Sequence, residues 1–74
     1  MTKTAMKIAE RYNDYYKAWL HAFNEKAPYE KQEKLLTCVD LLETILVNDC
    51  KLGYKGVAYL REKALDEFYS NPSK

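Results

Sequence analysis

Apolar residues recur along this chain at intervals of three and four, with no useful run of strict alternation, so its periodicity is helical from end to end. The first stretch is one-sided. Ala5, Ile8, Ala9, Tyr12, Tyr15, Tyr16, Trp19, Leu20, Ala22 and Phe23 fall within about 160° of a helical wheel, and Lys7, Glu10, Asp14, Lys17, His21 and Glu25 occupy the other side. Tyr12, Tyr15, Tyr16, Trp19 and Phe23, half of the chain's aromatic side chains, thus share one stripe. The pattern predicts a helix over about residues 4–24 with Thr2 or Thr4 as its N-cap.

In the second stretch Leu35, Cys38, Val39, Leu41, Leu42, Ile45, Leu46 and Cys50 form a broad apolar arc that Leu36 and Val47 widen further. This predicts a helix over about residues 29–50, with Pro28 suited to its first turn and Gly53 as its C-terminal stop. So wide an arc asks for cover on two sides. The expectation is a central helix held between the first and third, or between the first and a second subunit. A linker over 51–56 leads to a third helix over about residues 57–69, burying Val57, Leu60, Ala64 and Phe68, and Ser70-Asn71-Pro72 closes it before a short tail, 70–74. The fold class that follows is all-α: one compact domain at 1–74, an antiparallel hairpin of two long helices plus a shorter third, assembling as a dimeric helical bundle.

Length sharpens the dimer expectation, because a single core in a chain of 74 residues yields only about 3–5 kcal/mol of net stability without further support. A hydrophobic share of 47% sets the chain apart from disordered sequences. The formal net charge of +1 gives no global attraction to nucleic acid or anionic lipid. Its distribution is uneven, with +2 over residues 1–27, −3 over 28–50 and +2 over 51–74, so the acidic middle is suited to pack between basic ends. The N-terminus shows no apolar leader core and no apolar run reaches the roughly 18 residues of a membrane span, which leads to the expectation of a cytoplasmic protein, mature from Met1, with no membrane partner. Cys38 and Cys50 stand about 120° apart on one helix, cannot bridge each other there, and are expected as free, buried thiols of a reducing compartment.

Signatures of reaction chemistry do not emerge. Phosphate loops of the GxxxxGK type, serine nucleophile elbows and clustered carboxylates with an adjacent base are missing from the sequence, so the expectation is no enzyme and no cofactor. His21 is the lone histidine, one turn from Glu25 on the charged face, and has too few companions for a metal site. The aromatic stripe has no lysine or arginine beside it, which favours a core or a dimer interface over base stacking. Tyr12, Tyr15, Trp19, Leu36 and Val47 are the expected dimer contacts, with Tyr15 and Trp19 central about a two-fold axis. Lys51, Lys55, Gly56, Tyr59, Arg61 and Lys63 form the candidate partner or anion surface, since two glycines ahead of a helix would leave free N–H groups beside cations.

These features predict a small protein-protein interaction module, a homodimer with a protein partner, that inhibits, adapts or regulates another macromolecule. One alternative is a nucleic-acid-binding regulator using the basic start of the third helix. Another is an antitoxin- or immunity-type protein that masks a basic target with Glu33, Asp40, Glu43 and Asp49. In size, in its opening Met-Thr-Lys and in its helical hairpin the chain is similar in outline to small phage- or plasmid-encoded helical regulators, an analogy that carries no residue across.

Overall fold

Residues 2–70 are described by the computed structural model, and they form three helices: α1 (Lys3–Asn24), α2 (Tyr29–Asn48) and α3 (Gly53–Ser70). The all-α, three-helix expectation is met. The expected tail lies outside the described residues apart from Ser70, which belongs to α3, and so do Asn71 and Pro72 of the expected stop.

Local chemistry sets the ends of α1. Thr2 is extended and its Oγ1 accepts the Ala5 N–H at 3.1 Å, satisfying one of the orphan donors of the first turn. At the other end Ala27 N–H reaches back to the Ala22 carbonyl at 2.9 Å and Lys26 N–H to the Phe23 carbonyl at 3.2 Å, which is the Schellman pairing. The left-handed position in that motif belongs to Lys26, with φ of 56°, where a glycine would be the unstrained choice.

The connection from α2 to α3 departs from expectation. Pro28 stands one residue before α2, as its N-cap, and its carbonyl takes the N–H groups of Lys31 and Gln32 at 3.0 and 3.1 Å. α2 ends at Asn48, where Cys50 N–H turns back to the Ile45 carbonyl and Leu52 N–H to the Leu46 carbonyl. Lys51, at φ of 55°, makes this reversal in place of Gly53. Gly53, at φ of 80°, instead opens α3, which therefore begins four residues earlier than the expected 57. Gly56 lies inside the helix, not in a loop. A Cβ at that position would overlap the Leu52 side chain, so the glycine admits a close contact and supplies no turn.

Ala9, Tyr12, Val39, Leu46 and Val57 make the centre of the core, with Ile8, Tyr16, Leu42 and Leu60 packed around it. All three helices contribute, each packs on both of the others, and the α1–α2 contact is the most extensive. A uniquely central α2 sandwiched between α1 and α3 is thereby corrected. Three helices around one axis each bury a single stripe, so α1 and α3 leave the outer part of the arc on α2 uncovered, with Leu41 61% exposed. α1 contributes more buried residues than either partner, chiefly small alanines and Leu20 around the one buried ring, Tyr12. Among the described residues no helix is long and apolar enough to cross a membrane.

Candidate interaction groove

The aromatic stripe of α1 runs from the core out to solvent. Ring centroids follow at 5.9 Å from Tyr12 to Tyr16, 5.9 Å from Tyr16 to Trp19 and 5.5 Å from Trp19 to Phe23, spacings at which aromatic pairs attract. Tyr12 is 0% exposed and Phe23 57%. This placement corrects one expected dimer contact: Tyr12 is consumed by the core and cannot meet another molecule. Tyr15 stands apart from the ladder on the edge of the stripe and is partly exposed.

Burying a tyrosine requires a partner for its hydroxyl. α2 supplies it with Glu43, which sits among Val39, Leu46 and Val47 at helical spacing and so points into the bundle. The Tyr12 hydroxyl donates to Glu43 Oε2 at 2.9 Å, and Arg61 Nη2 of α3 donates to the same oxygen at 2.9 Å. One carboxylate oxygen thus ties all three helices. Burial pushes the Tyr12 hydroxyl up to about 12, against the opposing hydrogen bond from Arg61 and with Glu43 reinforcing the rise. Arg61 is held charged, above its ordinary value, by hydrogen bonding to Tyr12 and Glu43. Arg61, expected as a surface contact, is paired with Glu43 and remains partly exposed.

Below that tie the bundle opens into a groove of about 230 Å³. α1 provides Tyr16 and Trp19, α2 provides Leu36, Val39, Asp40 and Glu43, and Arg61 closes one end. Of the expected dimer contacts, Trp19 and Leu36 meet here; Tyr15 and Val47 do not line it, and Val47 packs on the core. Phe23, stacked on Trp19, extends the apolar surface beyond the groove. Asp40 has no ion-pair partner among the described residues.

The expected anion surface is not gathered into one site. Lys51 is exposed at the α2–α3 turn and Lys55 in the first turn of α3, Tyr59 is 66% exposed, and Lys63 lies along the cleft between α1 and α3 with Met6, Ala9, Glu10, Asn13 and Leu60. Because Gly56 is helical, the expected pair of glycines with free N–H groups reduces to Gly53. Elsewhere Glu67 accepts from Lys17 Nζ at 3.0 Å and Asn13 Nδ2 at 3.2 Å, and these bonds, Lys17 first, lower its carboxyl below the usual range. His21 pairs with Glu25 at 2.8 Å on the exposed face of α1. Cys38 and Cys50 are free and half-buried, less enclosed than expected. No three potential metal ligands converge among the described residues.

Sequence reasoning passed over Tyr16 as a member of a site, and read Asp40 and Glu43 only as surface charge for masking a basic target. The signal for Glu43 was available, since a carboxylate within an apolar arc facing a buried tyrosine is the acceptor that tyrosine requires. Asp40 carries no such signal, because its place depends on how α2 lies against Trp19. No protein-family model matches the chain, and no curated protein or solved structure matches it.

Proposed function

We propose that the chain is a non-enzymatic protein-protein interaction module that inhibits, adapts or regulates another macromolecule, and that it docks its partner at the groove and the aromatic residues beside it. The observation that supports this reading is the exposed end of the aromatic ladder: Trp19, half-buried beside Leu36 in the groove, stacks on Phe23, which stands largely in solvent. Exposed aromatic surface costs solubility and is enriched where partners bind. A homodimer is the same reading with a second copy as the partner, its contacts now Trp19, Phe23 and Leu36 in place of Tyr12 and Val47. The test is a tagged pull-down from the source cell's lysate, with and without nuclease, beside Trp19→Ala and Phe23→Ala, and sedimentation at micromolar concentration. Capture that survives nuclease and is lost in both variants supports the reading. Capture indifferent to both variants removes the groove from it.

A nucleic-acid role retains one supporting observation. Tyr54 and Tyr59 are 81% and 66% exposed around Lys51 and Lys55, a combination of rings and cations that a single strand can use. Glu62 and Asp66 are exposed on the same helix and oppose phosphate. Binding that falls steeply with salt and disappears in Lys51→Glu/Lys55→Glu would install this reading; salt-indifferent behaviour would end it.

A further inference from the structure

The charged residues of α2 are sorted between two sides. Lys31 and Lys34 lie with Pro28, Glu30 and Leu35 around a separate depression, whereas the groove side holds Leu36, Asp40 and Glu43. Glu33, seven residues before Asp40, continues the carboxylate stripe by helical repeat. Arg61 is the sole cation lining the groove and is committed to Glu43. The groove therefore has aromatic rings on its α1 wall and an uncompensated carboxylate, Asp40, on its α2 wall, within a molecule whose net charge is +1. An acidic site on a slightly basic molecule is a local feature, not a consequence of overall charge.

Rings facing a carboxylate across a small volume suit a cation with a flat, weakly hydrated head. A guanidinium can lie over an indole or phenol face while donating two hydrogen bonds to a carboxylate, and it keeps its charge at any working pH. We propose that the groove receives an arginine side chain from an amphipathic helix of a partner protein, with the guanidinium between the Trp19 ring and Asp40 and the partner's apolar residues on Leu36 and Phe23. This rests on the interaction-module reading above and adds the chemistry of the partner. Lysine fits less well, because an ammonium is more strongly hydrated and cannot bridge ring and carboxylate in one plane.

Trp19 is the chain's single tryptophan and lies in the groove, so its emission reports occupancy directly. The probes are three synthetic amphipathic helices that share one leucine stripe and lack aromatic residues, with arginine, citrulline or glutamate at the flanking positions. Citrulline preserves the shape of arginine without its charge. The arginine helix is expected to shift Trp19 emission saturably, the citrulline helix to bind about tenfold more weakly and the glutamate helix more weakly still. Asp40→Asn, at an exposed position, should lose most of the difference between arginine and citrulline while retaining native helicity. Equal binding of the three helices, or an unchanged preference in Asp40→Asn, overturns the arginine assignment and leaves the interaction-module reading standing. If no helix binds, and Trp19 emission instead follows protein concentration, the groove is taken by a second copy and the arginine proposal fails.

Discussion

Removing the Glu43 carboxylate is the most telling perturbation of this fold. In Glu43→Ala the Tyr12 hydroxyl stays at a position with no exposed surface and loses its acceptor, which costs about 1–3 kcal/mol. Arg61 loses its ion pair, but both partners are partly exposed, at 43% and 28% of the side chain, so solvent screening limits that share to about 1 kcal/mol or less. A total near 2–3 kcal/mol follows, most of what a domain of this size possesses. Tyr12→Phe removes the donor without orphaning the carboxylate, which keeps Arg61, and should cost about 1–2 kcal/mol. The assay is urea unfolding of wild type, the two single variants and the double variant, followed by circular dichroism. Because the hydroxyl without its acceptor is the main expense of Glu43→Ala, the double variant should be less destabilised than the two single losses added together, by about 1 kcal/mol or more. Additivity within about 0.3 kcal/mol would show that Tyr12 and Glu43 do not interact and would refute the three-helix tie.

Alkaline pH tests the same hydroxyl from another direction. The folded value of about 12 lies above the ordinary 10.0, so this contribution to stability is complete below pH 10, declines as the unfolded chain begins to ionise, and is spent by pH 12; tyrosinate absorbance should show one late phase that is missing in Tyr12→Phe. The Glu67 carboxyl is lowered, so its contribution holds above the ordinary carboxylate range and fades as pH falls through it, and Glu67→Gln should flatten the acid limb of a stability-versus-pH curve. Leu46→Ala empties a fully buried position at a cost of about 2–5 kcal/mol, enough to leave much of the chain unfolded at 25 °C by circular dichroism. Lys26→Gly should raise stability by up to about 1 kcal/mol by relieving the left-handed lysine, whereas Gly53→Ala should lower it by about 1 kcal/mol at φ of 80°, both read from thermal midpoints.

Helical periodicity made the three helices and most of the buried residues legible, because a stripe at three- and four-residue spacing has few alternatives. Thr2 as a cap follows from the same local chemistry. The turn between α2 and α3 differs from expectation because Lys51 takes the left-handed position that ends α2, and Gly53, also at positive φ, opens α3; Lys26 takes the equivalent left-handed position after α1. Propensity assigns such positions to glycine, and here tertiary packing overrides it. Gly56 misled for a related reason: its small size serves Leu52, a contact that no local pattern reveals. The aromatic stripe was visible as a stripe, but its gradient from buried Tyr12 to exposed Phe23 depends on which side of α1 is covered, since Leu20 and Ala22 beside it are buried. The groove is a product of that partial cover, so Asp40 opposite Trp19 could not be read from one dimension.

The shared Glu43 oxygen bears on the order in which the molecule can be made. A nascent chain that has released α1 and α2 carries Tyr12 and Glu43, yet lacks Arg61 to complete the carboxylate and Val57 and Leu60 to cover the ring. The hairpin alone is an unfinished surface, apolar and half-satisfied. Folding is therefore expected as a single cooperative step that needs α3, with no stable two-helix product. A chain that stops short of α3 would thus leave the core end of its aromatic ladder less covered than the finished molecule does.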